Sequence, residues 1–306
     1  MELRDLTLLR ELDERGSLTA VARATHVTPS AVSQRIRALE RDLGLSVIEP
    51  LGRGVRLTEV GRLLAAGAIE VAAVVARVEA RLAAHRGSIR GRVDVAALPS
   101  AGVVLLPALI AALGSDIDLR VHDHDVPEAS YAALARDHDL VIGHRMAPTP
   151  LPAWRGLHVL DLLREPIDIA VPAAHALAAA EVVRPRDIAG QRWIGVPEGY
   201  PFDDLRLAIE DAAGEPFAVV QRVRDNRLVE ALVAAGLGIG MLPRCSTRAG
   251  RGIALLPLEG VQTGRVVSVL ARPDVAARAV VGHTIEALRR CAAEVAPLEA
   301  GAAAAG

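Results

Sequence analysis

The first 86 residues are patterned at helical spacing. Leu3, Leu6, Leu9 and Leu12 mark an amphipathic helix over residues 2–15. Two more helices are predicted after it, Leu18 to Ala24 and Pro29 to Leu43. Ser17 is placed to cap the first of these through its hydroxyl. Thr28 is placed to cap the second, with Pro29 at the first helical position, where its missing N–H costs nothing. In that second helix Val32, Ile36, Leu39 and Leu43 recur at i, i+4, i+7 and i+11. The opposite face carries Ser30, Ser33, Gln34, Arg37 and Arg41. An ordinary solvated helix face is rich in Glu and Lys. Hydroxyls, an amide and guanidinium groups are instead the groups that read base edges and hold phosphates. A short helix, a tight turn at Thr25 to Thr28 and then such a helix is helix-turn-helix geometry. Gly52 and Gly54, set between short apolar pieces over residues 45–57, suit a two-stranded wing.

Thr58 then caps a long helix predicted to reach about Arg86. Its apolar and small residues at 60, 64, 67, 71, 74 and 78 form a heptad seam. At 1.5 Å per residue such a helix is roughly 40 Å long, more than a small winged unit can cover. A second copy of the chain is the expected cover, and it would present two recognition helices to two half-sites.

The period changes after Gly87-Ser88-Ile89-Arg90-Gly91, the expected domain boundary. Strands are predicted at Val93 to Leu98, Leu119 to Asp125 and Leu140 to Ile142, with helices at Val103 to Leu113 and Glu128 to Arg136. A second series has strands at Ile167 to Val171, Arg192 to Val196, Val219 to Val223, Gly238 to Leu242 and Val266 to Ala271. Its helices run from Phe202 to Ala213 and from Arg227 to Ala235, and a closing helix from Ala276 to Glu294. Alternating strand and helix predicts a parallel, two-sided sheet. Two such series predict two α/β lobes and a hinge, with Leu160 to Leu163 and Gly264 to Val267 as the crossing strands. The expected organisation is 1–57 as a winged helix-turn-helix domain, 58–86 as a linker helix, 87–296 as a two-lobed domain and 297–306 as a flexible tail. Lobe one covers about 91–160 and 268–295, and lobe two about 163–265.

With 306 residues, 51% apolar and 24% charged, the chain can form two or three units with real cores and is not disordered by composition. A formal net charge of −2 does not point to nucleic acid, but the local distribution does. Residues 23–56 hold Arg23, Arg35, Arg37, Arg41, Arg53 and Arg56 against Glu40, Asp42 and Glu49. The positive side falls where the second helix and the wing would meet a duplex. All basic residues are arginine, a codon-bias trait. Cys245 and Cys291 are too far apart for a disulfide scaffold or a zinc knuckle and read as small core residues. With no hydrophobic signal core and no uninterrupted run of about 18 apolar residues, a cytoplasmic protein without a membrane partner is expected.

The stretch GSLTAVARATHVTPSAVSQRIRALERDLG, followed by RGVRLTEVGRLL, resembles the N-terminal domain of LysR-type transcriptional regulators. Gly16-Ser17, Thr28-Pro29-Ser30-Ala31-Val32-Ser33, Leu39-Glu40, Leu43-Gly44, Leu57-Thr58 and Gly61 all fall where that family has them. The resemblance is most specific over residues 3–66. It continues in Asp139-Leu140-Val141-Ile142, Glu165-Pro166, Pro172 with His175-Ala176-Leu177-Ala178, and Ala235-Gly236-Leu237-Gly238-Ile239-Gly240-Met241-Leu242-Pro243. The fold it implies is α plus α/β: a winged helix-turn-helix, a linker helix at the dimer interface, and a two-lobed effector domain similar to periplasmic binding proteins. There are departures. Leu18 stands where the family has Phe, and Val47-Ile48-Glu49-Pro50 where it has Leu-Phe-x-Arg. Pro50 thus replaces a wing arginine, leaving Arg53 and Arg56 to supply that contact. The close pair of cysteines kept by peroxide-sensing relatives is missing.

The expected DNA-binding residues are Ser17, Thr28, Pro29, Ser30, Ser33, Gln34, Arg37, Arg53 and Arg56. The expected effector contacts begin with Ser100 and Ala101, where a helix opens after a strand and free N–H groups make an anion site. In the resembled family effectors sit against this turn; a plain N-cap is the other reading of Ser100. In His122-Asp123-His124-Asp125 the histidines share one face and the acids the other. No partner at ligand spacing makes this a metal site; the resembled family has an acid and then a glycine where Asp123 and His124 stand, at the pocket rim, so the resemblance implies that His124 or Asp125 touches the effector. Arg145, at the next strand end, is the candidate counter-ion, since open α/β sheets bind ligands at the carboxyl ends of their strands; a surface charge is the alternative. All six aromatics lie between Tyr131 and Phe217. Pro201, Phe202 and, from lobe two, Asn226 complete the set. Gly236-x-Gly238-x-Gly240 enters a strand instead of joining strand to helix, so it is no dinucleotide fingerprint.

No nucleophile elbow, Ser-His-Asp set or P-loop is present, so no enzyme activity, cofactor or metal is expected. The reading is a transcription regulator controlled by a small organic acid or amino acid. Its expected partners are double-stranded DNA, its own copies as a homodimer or homotetramer, and RNA polymerase. A small-molecule binding protein or enzyme with an accessory helical domain is the alternative, and it would need a catalytic set or an export signal.

Overall fold

The computed structural model describes residues 1–52, 54–85, 89–247 and 250–295. The chain forms two compact units, Met1–Ile89 with Arg272–Gly282, and Arg90–Ala271 with the segment from His283.

The first unit contains α1 (Leu3–Arg15), α2 (Leu18–Ala24), α3 (Pro29–Leu43), β1 (Ile48–Leu51), β2 (Gly54–Leu57) and α4 (Glu59–His85). The helices start where their caps allow. Ser17 Oγ accepts from Ala20 N–H at 3.5 Å, and Thr28 Oγ1 from Ala31 N–H at 3.2 Å. Leu9, Leu12, Val21, Val32, Ile36, Leu39, Val47 and Leu57 form the core. The stripe expected on α1 needs one correction: Leu3 is 41% exposed, whereas Leu6 and Leu8 are buried. A strict three-residue spacing drifts around a helix of 3.6 residues per turn, so its first member rotates off the core. The wing pairs Ile48 with Leu57 and Leu51 with Gly54 in antiparallel register. Glu40 of α3 fixes its entry, accepting from Val47 N–H at 2.9 Å. Gly61 fixes the start of α4, because a methyl group there would overlap the Val47 carbonyl oxygen. Asp274, in the same unit, accepts from Arg10 at 2.8 Å.

The α4 seam divides. Val60 and Leu64 pack on the core of their own unit, but Val71, Val74 and Val78 are exposed at 42%, 50% and 60%.

The second unit runs β3 (Gly91–Ala97), α5 (Pro99–Leu113), β4 (Ile117–Asp123), α6 (Tyr131–Leu134), β5 (Leu140–Arg145) and β6 (His158–Pro172). It continues with β7 (Arg192–Gly195), α7 (Pro201–Ala213), β8 (Ala218–Arg222), α8 (Asn226–Ala234), β9 (Ile239–Pro243), β10 (Ile253–Leu256) and β11 (Gly264–Ala271). The chain closes with α9 (Pro273–Ala276) and α10 (Ala279–Val295). The sheet order is β4-β3-β5-β11-β6-β9-β7-β8, with β10 added on β6.

Three expectations are corrected here. The sheet is mixed, not parallel. Within each lobe β3 pairs in parallel with β4 and β5, and β7 with β8 and β9. The crossing strands are antiparallel: β11 to β5 and β6, and β6 to β9 and β10. A strand that leaves one lobe and a strand that returns to it run in opposite senses. Also, β6 is one unbroken strand where two were expected. Its residues 158–166 pair with β11, and its residues 167–172 with β9 and β10. The helix expected over 128–136 shortens to a 3-10 turn at Glu128–Ser130 followed by α6.

Val95, Leu105, Leu109 and Ile142 lie in the core of lobe one, and Ile167, Ile169, Trp193 and Ile209 in that of lobe two. Gly238 serves close packing, since a Cβ there would stand 2.7 Å from the Arg192 carbonyl oxygen. Among the described residues no helix is long and apolar enough to cross a membrane. Arg53, Gly87, Ser88 and residues 297–306, which carry part of the expected wing contact, the linker joint and the tail, lie outside the described residues.

Candidate functional site

The polar face of α3 is open. Pro29, Ser30, Gln34, Arg37 and Arg41 are exposed and Ser33 is half-buried, because Val32, Ile36 and Leu39 hold the opposite face in the core. The hydroxyls of Ser17 and Thr28 serve as helix caps, and Ser30 Oγ lies 3.0 Å from Thr28 Oγ1. Not every arginine of the region faces outward. Arg35 donates to Asp5 at 2.7 Å and Glu2 at 3.1 Å, which leaves Arg37 and Arg41 as the exposed cations of α3. On the wing, Arg56 donates to Glu49 at 2.7 Å, both side chains being exposed. A phosphate at Arg56 would compete with that carboxylate, and a solvated pair of this kind is weak.

In the second unit a cleft of about 950 Å³ opens between the lobes, within the range of small-molecule sites. Leu98, Pro99, Ser100, Asp123, Asp125 and His144 line it from lobe one. Tyr200, Pro201, Phe202, Arg224, Asp225 and Asn226 line it from lobe two. The start of α5 is built to face a polar group. Leu98 at the N-cap position supplies no side-chain cap and Pro99 follows it, so the amides of Ser100 and Ala101 have no intrahelical acceptor. Arg265 lies beside them. It is 2% exposed and donates to Ser100 Oγ at 2.9 Å and to Glu165 Oε2 at 2.7 Å. Glu165 is buried too, and also accepts from the backbone N–H of Cys245 at 2.9 Å.

His144 and Tyr131 complete this end. Burial, and then the nearby Arg265 charge, push the His144 imidazole down to about 3, so the ring is neutral. Its Nδ1 and the Tyr131 hydroxyl are buried without a hydrogen-bond partner. Tyr131 lies flat on β5 because residue 143 is glycine; a Cβ there would come within 2.7 Å of its ring. Across the cleft, Arg224 donates to Tyr200 Oη at 2.8 Å and lies over its ring. Burial, and then Asp225, push the Asp125 carboxyl up, against the pull of Arg224.

Of the expected contacts, Ser100, Asp125, Pro201, Phe202 and Asn226 meet in this cleft; three do not. Arg145 is 1% exposed. Its guanidinium is held by both oxygens of Asp161 at 2.7 Å and by Ser268 Oγ at 2.7 Å, so it braces the sheet and is not free to meet a ligand. The His124 ring turns to the other face, 5.3 Å from the ring of His138, which also meets His122 at 4.9 Å. The acids of that string face the cleft, as the alternation of the strand requires. The Ala101 side chain is buried beneath α5, so only its amide could serve. Arg265, Arg224 and His144 were not foreseen. Arg265 reaches Ser100 from 165 positions away along the chain, and no local pattern carries such a pairing. Among the described residues no group of His, Cys, Asp and Glu side chains is placed to hold a metal ion.

Comparison with known proteins agrees with both halves. Residues 3–62 match the family model described as bacterial regulatory helix-turn-helix protein, lysR family, and residues 86–293 match the LysR substrate binding domain. Transcriptional dual regulator GltC of Bacillus subtilis is 26% identical over 252 residues, 79% of this chain and 81% of that protein. DNA-binding transcriptional dual regulator OxyR of Escherichia coli is 27% identical over 247 residues, 79% of each. A full-length OxyR structure from Pseudomonas aeruginosa shares the fold with a TM-score of 0.63 at 20% identity, covering 100% of this chain and 99% of that one. Full-length CbnR complexed with its target DNA gives 0.53 at 24% identity, covering 95% and 100%. The open helix face of one unit and the cleft of the other thus belong to a member of the LysR family, a DNA-binding transcription regulator with an effector-binding domain.

Proposed function

We propose that the exposed face of α3 reads the operator and that the cleft of the second unit takes the effector. Ser33, Gln34 and Pro29 approach base edges, Arg37 and the wing residues Arg53 and Arg56 hold phosphates, and Ser17, Thr28 and Ser30 lie against the backbone. The observation that carries this is the division of α3, with Val32, Ile36 and Leu39 buried and Ser30, Gln34 and Arg37 exposed. The effector is a small organic acid or amino acid whose carboxylate meets Ser100, Arg265 and the start of α5. Asp125, Pro201, Phe202 and Asn226 surround its body. Two or four copies assemble through the exposed part of α4 and act with RNA polymerase in the cytoplasm, without catalysis by this chain.

Some relatives are named as activators of hydrogen peroxide-inducible genes. A peroxide sensor needs a thiol of lowered pKa. In this chain burial, and then Glu165, push the Cys245 thiol up to about 11. Cys291 is buried and also shifted upward. A redox role is therefore not favoured.

The test is a gel shift with DNA from upstream of the protein's own gene, against random DNA. Gln34→Ala should cost about 1–3 kcal/mol on the operator, as for the loss of one bidentate base contact, and leave binding to random DNA unchanged. An equal loss on both DNAs would remove the base-reading role.

A further inference from the structure

The charges around the cleft are balanced, which is unexpected for a site that takes a plain anion. Asp123, Asp125, Asp225 and Glu230 line it against an equal number of arginines. The arginine nearest the α5 turn is already compensated, because Arg265 and Glu165 are each 2% exposed and paired at 2.5 Å. An anion brought here from water would lose its hydration without meeting a net opposite charge, a costly transfer. A ligand that carries its own positive charge avoids this.

The position of the acids supplies the second argument. β3 and β4 pair in parallel with Ala97 opposite Asp123, and His124 N–H donates to Ala97 O at 2.9 Å. The ends of the two strands are therefore one strand spacing apart, about 4.8 Å. On one strand the chain goes on to Ser100 and the uncapped start of α5; on the other it goes on to Asp125. Asp123 and Asp125 line the same cleft as Pro99 and Ser100, so a carboxylate seated on the α5 turn shares it with the carboxylates of the neighbouring strand. Only a cationic substituent on the adjacent carbon turns that proximity into an attraction.

We propose that the effector is a zwitterion, an α-amino acid, with its carboxylate on Ser100, Arg265 and the α5 amides and its ammonium on Asp123 and Asp125. This rests on the reading of the cleft as the effector site. The side chain of the amino acid would point to the opposite wall, where Tyr200, Phe202 and Asn226 lie.

The full-length protein should be screened by thermal shift and calorimetry with the twenty protein amino acids. Each is compared with its desamino carboxylic acid and its decarboxylated amine. At least one amino acid should bind ten-fold or more tightly than both of its truncated analogues. Asp125→Asn, at an exposed position, should narrow the gap between the amino acid and the desamino acid to within about three-fold, while the unliganded melting temperature stays that of wild type. Three results would overturn the proposal: no amino acid binds, the desamino acid binds as well, or the gap survives in both Asp125→Asn and Asp123→Asn. Ser100→Ala separates the two levels. A desamino acid that binds well and loses ten-fold in Ser100→Ala leaves the cleft as the effector site and removes only the zwitterion. An amino acid indifferent to Ser100→Ala and Asp125→Asn alike removes both.

Discussion

His144 makes the protein's stability depend on pH in a way its sequence position does not announce. Its imidazole stays neutral in the folded chain down to about 3, through burial and the Arg265 charge. In the unfolded chain it takes a proton near 6.5. Between these values the unfolded state binds more protons, so stability falls as pH drops through that window. From pH 7.5 to pH 5 this one residue should remove about 2 kcal/mol. Urea unfolding of wild type and His144→Asn at both pH values tests it, with the wild type losing that much more than the variant. A difference between the two proteins that is the same at both pH values would refute the assignment. Arg145 and Arg265 make a related point about what a sequence can reveal. Both are arginines in strands of similar character. Asp161, Ser268, Glu165 and Ser100 decide which one braces the sheet and which one meets the cleft; only Asp161 is near its arginine, 16 positions away, whereas the other three lie 100 or more positions from theirs. The α3 residues were legible because a helix fixes its faces locally, whereas the cleft is assembled from strand ends that meet only in the fold.

At the scale of elements, α4 carries an apolar stripe that its own unit leaves uncovered, with Val71, Val74, Val75, Val78 and Leu82 all at least 41% exposed. Adjacent apolar positions spaced by three and four residues form one face. In a symmetric dimer the two copies of this face would meet. Val71→Glu with Val74→Glu would place like charges in that seam and should yield monomers by analytical ultracentrifugation, with tight operator binding lost as well. A double variant that stays dimeric would take α4 out of the interface. Helices with caps and a clear apolar stripe were readable to within a residue or two, as α2 and α3 are. What escaped was decided by pairing. Ile253–Leu256 is a short apolar run between Gly252 and Pro257, and it becomes a strand because β6 offers an open edge to it. The closing helix, expected from Ala276, begins at Ala279 as α10, and the short α9 over Pro273–Ala276 before it was not expected.

At the scale of the molecule, β6 is the piece both lobes share. Arg164 is exposed and Glu165 buried, and Glu165 carries the pair with Arg265. An alanine inserted after Arg164 would turn Glu165 and every later residue of the strand to the opposite face. Breaking a buried ion pair costs about 3–5 kcal/mol, so this insertion should abolish cooperative unfolding of the second unit or lower its urea midpoint sharply. An alanine inserted after Thr149, in an exposed loop, should leave the midpoint close to that of wild type. Equal tolerance at the two places would mean that β6 does not set the facing of lobe two.

That strand also determines how such a protein can diversify. The exposed turn at 148–150 can lengthen, and exposed side chains on the cleft wall can be exchanged, without moving Trp154, Val183 or Ile188, which are buried in the two lobes. Beyond the bulge at Leu162, where β6 has one extra residue against Val267 and Ser268, adding or removing one residue up to Pro172 would reverse which surface of lobe two faces the cleft. New ligand preferences in this lineage should therefore arise by substitution and loop growth around a strand of fixed count, and related chains should be alignable without gaps across it even where little else is shared.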